Sequence, residues 1–197
     1  SKDVMVLLST AQWLRNLGYR AVPSLNDTAL AIPLAIQAGL GEYGRHGLVI
    51  TPEFGPRVRF GKIFTDAPLH HDSPVRFGVT EFCESCRRCT EACPPGAITD
   101  GSPTSVKLNR STIGGVRKWT TDGEKCFSYW AQIVSDCMIC IRVCPYNKDF
   151  SKWYNRIGRR LAATRLRRMM GWLHGRLGYG RRLRPRDWWE GATRRRT

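Results

Sequence analysis

The first 82 residues of this 197-residue chain contain no cysteine, and neither do the last 53. All eight cysteines fall between Cys83 and Cys144. Dispersed cysteines would suggest a disulfide framework; tight clusters with two-residue gaps point to metal instead. Long hydrophobic runs are also lacking. The longest apolar stretches, such as Leu48–Ile50 and Ala29–Ile36, are short and broken by Pro or Gly. A membrane-spanning helix needs about eighteen or more apolar residues in a row, so none is expected. The opening residues Ser1–Leu8 lack the basic region and cleavage site of a secretory signal, and there is no initiator Met. The sequence therefore reads as a piece of something longer. Acids are scarce near the C-terminus. From Asn147 onward 16 Lys and Arg face 3 acids, so most of the net charge of +16 lies in that tail. Such a tail favours anionic partners, whether nucleic acid, anionic lipid or an acidic protein.

Val4, Leu7, Leu8, Ala11, Leu14 and Leu17 recur at three- and four-residue steps, the stripe of an amphipathic helix ended by Gly18. Tyr19–Pro23 reads as a short extended segment. Asn26-Asp27-Thr28 can cap a second helix over Ala29–Ala38, with Pro33 forcing a kink or a late start. A glycine-rich turn over Gly39–Gly47 leads into a short strand at Leu48–Thr51. The polar–apolar alternation of Arg57–Thr65 predicts a strand with one wet face. Residues 66–82 are loop-rich and include His70 and His71, which take no role. Helical spacing returns from about Ser151 to Trp172.

The cysteines form two runs. Cys83-x-x-Cys86-x-x-Cys89-x-x-x-Cys93-Pro94 is the bacterial ferredoxin pattern. Thiolates are soft ligands suited to iron–sulfur clusters. Two-residue gaps let one loop wrap three corners of a cubane, and the cysteine before proline ligates the other cluster. A second run is then required: Cys137-x-x-Cys140-x-x-x-Cys144-Pro145, with Cys126 as its leading member after a longer gap. One cluster is assigned to Cys83, Cys86, Cys89 and Cys144, the other to Cys126, Cys137, Cys140 and Cys93. Zinc or unligated cysteine is the alternative, but zinc hooks do not favour two runs that each end in Cys-Pro. Two such clusters form an electron wire. A wire needs a redox centre at one end, and residues 83–145 supply none.

Beyond the cysteines, three blocks resemble the catalytic subunit of reductive dehalogenases: Leu17–Ala29, Ile32–Leu48 and Ile50–Arg59. The element Gly178-Tyr179-Gly180 followed by Trp188-Trp189 resembles that family's C-terminus. The resemblance implies an α+β fold in which part of a nitroreductase-like cobalamin-binding domain (residues 1–78) precedes a ferredoxin-like domain with two 4Fe–4S clusters (79–150). A basic C-terminal helix and tail (151–197) would pack on the body. The implied reaction replaces a carbon–halogen bond with carbon–hydrogen and releases halide. The corrinoid carries that chemistry and the protein orients the substrate.

The resemblance also implies site residues. Arg59, on the wet face of its strand, resembles the active-site arginine, whose charge could steady an anionic donor or the departing halide. A surface ion pair is the alternative, and Arg57 competes if the register slips. Asn26 resembles a substrate-pocket residue and is equally readable as a helix cap. Gly44, Arg45, His46 and Gly47 could approach the corrin ring or its phosphate-bearing tail, with Thr51 and Glu53 nearby; an ordinary tight turn is the alternative. His46 is expected to hydrogen-bond and not to ligate cobalt. The family's proton-donor tyrosine would lie upstream of Ser1, and Tyr19 and Tyr43 are expected to pack or cap. Without that donor, this stretch of chain would be inactive alone. An organohalide is the implied substrate, with a membrane-anchor subunit or electron donor as partner. An upstream export signal would put the protein at the extracytoplasmic membrane face, with the cytoplasm as the alternative.

The arginines at 156, 159, 160, 165, 167 and 168 make a basic amphipathic helix, read as a solvated cover for the cluster domain or as a membrane-docking face. Nucleic-acid binding has no motif beyond charge. Trp188 and Trp189 read as core or lid. Two other functions compete: an epoxyqueuosine reductase-like tRNA-modifying enzyme, which also combines cobalamin with two clusters, and a plain two-cluster electron carrier. Residues 1–82 argue against the carrier, which needs no such domain.

Overall fold

The computed structural model describes residues 2–25 and 28–180. Helix α1 spans Lys2–Asn16, with Asp3 in its first turn and Arg15 in its last, each suited to the local end of the helix dipole. Its stripe buries Ala11 and Leu14 against Ala21, Ile63 and Ala67. Strand β1 (Ala21–Ser24) continues from it, and Arg15 Nε and Nη2 both donate to the Ala21 carbonyl, at 2.9 and 2.6 Å.

The second helix, α2, runs Ala31–Gln37, so it starts two residues later than the pattern predicts. Leu30 occupies the cap position without a side-chain bond. Pro33 thus falls in the first turn, where a missing N–H leaves no helical bond unmade. Asn26 and Asp27 lie outside the described residues.

A small hairpin follows. Strand β2 (Glu42–Tyr43) pairs antiparallel with β3 (Val49–Ile50), and β2 had no signal in the glycine-rich sequence. Strand β4 pairs antiparallel with β1 but covers only Lys62–Thr65. This corrects the longer strand expected over Arg57–Thr65. β1 offers four residues, Ala21 opposite Thr65 through Ser24 opposite Lys62, so positions 57–61 find no ladder partner. Arg59 therefore sits on an irregular segment and not on a strand face.

The cysteine region folds as two short helical arms. The first holds α3 (Val79–Ser85) and α4 (Arg88–Glu91); the second holds α5 (Gly123–Ile133) and α6 (Ile139–Val143). Asp122 caps α5 by accepting from Lys125 N at 3.0 Å. Helices α4 and α6 pack together. The linking segment is tied by isolated bridges at Ile98–Thr121 and Thr104–Lys118. The single basic helix expected from Ser151 to Trp172 is two, α7 (Trp153–Ala162) and α8 (Arg167–Arg176), packed on each other. The break is built by Thr164, whose hydroxyl donates to Leu161 O and accepts from Leu166 N.

The two parts of the chain are joined at several places, and two of them bear directly on the cysteine arms. Glu42, buried on β2, accepts from the N–H groups of Phe77, Val79 and Thr80 and from the Thr80 hydroxyl. A carboxylate thus caps α3, the helix carrying Cys83, from a distant strand. The second weld is the Thr51–Gly55 loop, closed by paired backbone bonds of 3.0 Å and by the Thr51 hydroxyl. Gly55 takes φ +59, and a Cβ built there would stand 2.0 Å from the Tyr146 carbonyl oxygen. Gly55→Ala should therefore cost about 3 kcal/mol or more, by strain and by prising this loop from Pro145-Tyr146. Chemical denaturation of the variant beside wild type checks this; a loss under about 0.5 kcal/mol, ordinary for a surface change, would contradict it.

Candidate iron–sulfur centres

Cys83 ends the buried face of α3, Cys86 follows at its C-cap, and Cys89 lies in α4. Cys144 caps α6 from the other arm. These four line one small cavity together with Arg45, His46, Phe82, Pro145 and Tyr146. The remaining four form a second neighbourhood. Cys140 lies in electrostatic reach of Cys137, Cys126 and Cys93, and Cys126 in reach of Cys93 and Cys137. Ile98, Ala92, Ile139 and Val143 pack around the Cys89, Cys93 and Cys140 side, where the two groups adjoin. Cys144 thus lies with the first run, and Cys93 with Cys126, Cys137 and Cys140.

Burial pushes the thiols toward their protonated form. Desolvation raises Cys83 and Cys89 to about 12 and Cys140 to about 11, and holds Cys144 well above the ordinary thiol range. Buried thiols this reluctant to ionise need a cation to hold them as thiolates. Among the described residues, no three His, Cys, Asp or Glu side chains converge tightly enough for a single ion. Zinc would need sulfurs at about 2.3 Å from one centre. Four thiols lining one cavity are the donor set that a cubane cluster takes.

Two buried polar atoms at the first cavity have no partner among the described residues: His46 Nε2 and Tyr146 Oη. Desolvation lowers His46 to about 4 and raises Tyr146. A Cβ at Gly44 would stand 2.9 Å from His46 Cε1 and from Ile50 Cδ1, so a side chain there would push the ring aside.

Arg45 is buried beneath the cluster loops. Its Nε donates to Cys83 O at 3.0 Å, and its Nη1 donates to the carbonyls of Thr99, Asp100 and Gly101 at 3.2, 3.0 and 3.0 Å. The guanidinium also stacks 4.9 Å from the Trp119 ring centre. This is bracing, and it differs from the corrinoid phosphate contact expected for Arg45. Gly47 turns toward Thr121, and the Thr51 hydroxyl is committed to its own loop. Glu53 is exposed. Arg57 donates to Lys148 O at 2.7 Å. Arg59 pairs with Asp3 at 3.4 Å, both side chains well exposed, which is the surface ion pair weighed as its alternative. Asn26, Trp188 and Trp189 lie outside the described residues. Tyr43 packs as expected, donating to Trp119 O at 2.9 Å.

Sequence reasoning missed Glu42, Trp119 and Tyr146. Glu42 acts on a helix 37 residues away, and no local pattern marks such a cap. Tyr146 had a signal, since it follows a Cys-Pro pair.

The basic helices cover the cluster domain. Arg88 bridges His174 Nδ1 at 3.1 Å and Tyr179 O at 3.0 Å, and Arg159 reaches Pro52 O between the rings of Phe77 and Phe150. Desolvation, then Lys148 and Arg88, hold His174 down to about 4. Its pKa thus falls below the ordinary 6.5 of the unfolded chain. Stability from this group is full above pH 6.5 and is lost as the pH falls toward 4, because only the unfolded state takes the proton. The effect is on the order of 2 kcal/mol. His174→Gln should flatten the acid limb of a stability–pH curve, and an unchanged limb would contradict this.

The fold and site define a two-cluster ferredoxin-type relay fused to an α+β segment. Residues 82–147 match the 4Fe-4S double cluster binding domain family. The tetrachloroethene reductive dehalogenase of Sulfurospirillum multivorans is 39% identical over 192 residues, which cover 97% of this chain and 38% of that relative. A solved structure of a reductive dehalogenase that suggests a mechanism for B12-dependent dehalogenation superposes with a TM-score of 0.75 at 31% identity, over 88% of this chain and 25% of that one. The epoxyqueuosine reductase of Streptococcus thermophilus is more distant, with a TM-score of 0.54 at 25% identity over 72% of this chain and 37% of that one. The chain belongs to the reductive dehalogenases. It spans less than two fifths of the length of the curated relative just described, 38% of it.

Proposed function

We propose that this chain is the electron-delivery part, with a share of the corrinoid site, of an enzyme that reductively removes halide from an organohalide. One observation carries the reading. The cavity of Cys83, Cys86, Cys89 and Cys144 is walled by Arg45 and His46 of the preceding segment and by the Tyr146 ring against Phe82. A cluster there would abut the segment that resembles the corrinoid domain, which suits electron transfer toward it.

In this reading Cys83, Cys86, Cys89 and Cys144 hold the inner cluster, and Cys126, Cys137, Cys140 and Cys93 the outer one. The clusters, when bound, relay single electrons. Cobalamin, when bound, supplies the reducing chemistry by which two electrons and a proton convert carbon–halogen to carbon–hydrogen and halide. Residues 1–78 then belong to a nitroreductase-like α+β domain. The α1 helix and the β1–β4 ribbon are consistent with that.

Arg59 is the candidate for holding negative charge in the substrate site. Its pair with Asp3 is exposed and long, so that contact contributes little. Arg57 is the weaker candidate because it is tied to Lys148 O. Asn26 is proposed to line the substrate pocket. A membrane-bound electron donor at the extracytoplasmic face is the partner that would complete the relay.

The test is anaerobic expression of the complete gene with cobalamin, followed by halide release from chlorinated and brominated compounds. Halide release that depends on corrinoid is expected. Arg59→Ala should lower it at least about tenfold, the scale of one lost charge-stabilising contact, while corrinoid stays bound. No halide release from any compound by the fully loaded protein would overturn the reading; an unchanged Arg59→Ala rate would move the role to Arg57.

A further inference from the structure

We propose that His46 and Tyr146 are hydrogen-bond donors to the cluster held by Cys83, Cys86, Cys89 and Cys144, and that they raise its reduction potential. This rests on the two-cluster reading above and assigns residues that act on the cluster without ligating it.

The direction of the His46 donor follows from its neighbour. The Leu48 backbone N–H donates to His46 Nδ1 at 3.2 Å. A nitrogen that accepts carries no hydrogen, so the neutral ring bears its hydrogen on Nε2. That Nε2–H is buried and meets no acceptor among the described residues, and His46 is one of the residues that line the thiol cavity. The ring is 5% exposed, so solvent does not satisfy it from outside.

Tyr146 reaches the same cavity from the second arm. Its ring is fixed edge-on by Phe82 and Phe77, with centroids 5.4 and 6.3 Å away. The residue is 3% exposed, and its hydroxyl has no partner among the described residues. Its strongest charge couplings are to Cys83 and Cys144.

An unsatisfied buried donor costs about 1–3 kcal/mol, and His46 and Tyr146 line one cavity, so an acceptor placed in that cavity would offset the cost of both. A cluster offers sulfide and thiolate sulfur on that wall. Reduction adds one electron, and hydrogen bonds to sulfur favour the more negative state. Removing either donor should therefore make that cluster harder to reduce.

The experiment is a potentiometric EPR titration of the anaerobically purified full-length protein, with Tyr146→Phe and His46→Phe. Each variant should move one cluster midpoint negative and leave the other in place. A tenfold change in the reduced-to-oxidised ratio, about 59 mV for a one-electron couple, is the expected size. Tyr146→Phe keeps the ring and its packing. His46→Phe also strips Leu48 N–H of its acceptor and can fail to fold. The unaltered protein labelled with 15N-histidine therefore gives a second measurement. Pulsed ENDOR should detect a histidine nitrogen and exchangeable protons coupled to one reduced cluster. Both clusters present with unmoved midpoints for Tyr146→Phe, or no histidine or exchangeable-proton coupling, would overturn the inference alone. Unaltered protein that holds fewer than two clusters would overturn the two-cluster reading and this inference with it.

Discussion

Replacing Cys144 with alanine should strip about four irons from the protein and leave about four behind. The irons lost should be those of the first run, although Cys144 lies 55 residues beyond Cys89 in the chain. The reason is geometric. Cys144 shares a cavity with Cys83, Cys86 and Cys89, while Cys140, four residues earlier, couples to Cys126, Cys137 and Cys93. A three-thiolate remnant in that apolar pocket has one open iron corner and no side-chain carboxylate or histidine ligand there but His46. Cluster occupancy should fall more than about tenfold, since outer-shell losses alone reach that scale and a ligand loss exceeds it. Cys93→Ala should do the reverse and remove the other cluster. Iron and sulfide analysis with EPR of the remaining cluster reads the result. If each run kept its own cluster, Cys144→Ala would instead damage the site of Cys137 and Cys140.

Arg45→Met should lower the stability of the loaded protein by about 4 kcal/mol, the scale of breaking a buried charged network. Four carbonyls, of Cys83, Thr99, Asp100 and Gly101, would lose their shared donor, and the Trp119 face would lose its cation. Two of the segments so held, around Cys83 and around Thr99–Gly101, flank the first cysteine run on both sides. Loosening them should also speed cluster loss under chelator. Arg45→Lys should rescue little, because one ammonium cannot span the fork of positions the guanidinium occupies. The expectation that Arg45 contacts a corrinoid tail makes an opposite prediction. It would leave stability within about 0.5 kcal/mol and weaken corrinoid binding. Denaturation of corrinoid-free protein separates the two.

The parts legible from sequence were those with local signals. The cysteine spacing, with its Cys-Pro stops, marks two runs, and the structure brings Cys144 of the second run beside Cys83, Cys86 and Cys89. The stripe from Val4 to Leu17 gave α1, because a helix writes its buried face at three- and four-residue steps. Parts that depend on a distant partner were not legible. The alternation over Arg57–Thr65 looks like a strand, yet only Lys62–Thr65 has β1 beside it. The Arg45 turn reads as a ligand cradle, because glycines and an arginine do not announce that their acceptors lie near residues 83 and 100. The Ile50–Arg59 block, which resembles the reductive dehalogenases, clamps the second cysteine run through Gly55 against Tyr146 and Arg57 on Lys148. The basic tail reads as one helix covering the body; it folds as two, with Arg159 reaching the Pro52 carbonyl and the Phe150 ring, and Arg88 of the body donating to Tyr179 O.

Iron and acid-labile sulfide, counted per chain in anaerobically purified protein together with Mössbauer spectra, bear most directly on the two groups of thiols. About eight irons, all in cubane environments, are predicted. Four or fewer irons, or stoichiometric zinc in their place, would contradict it.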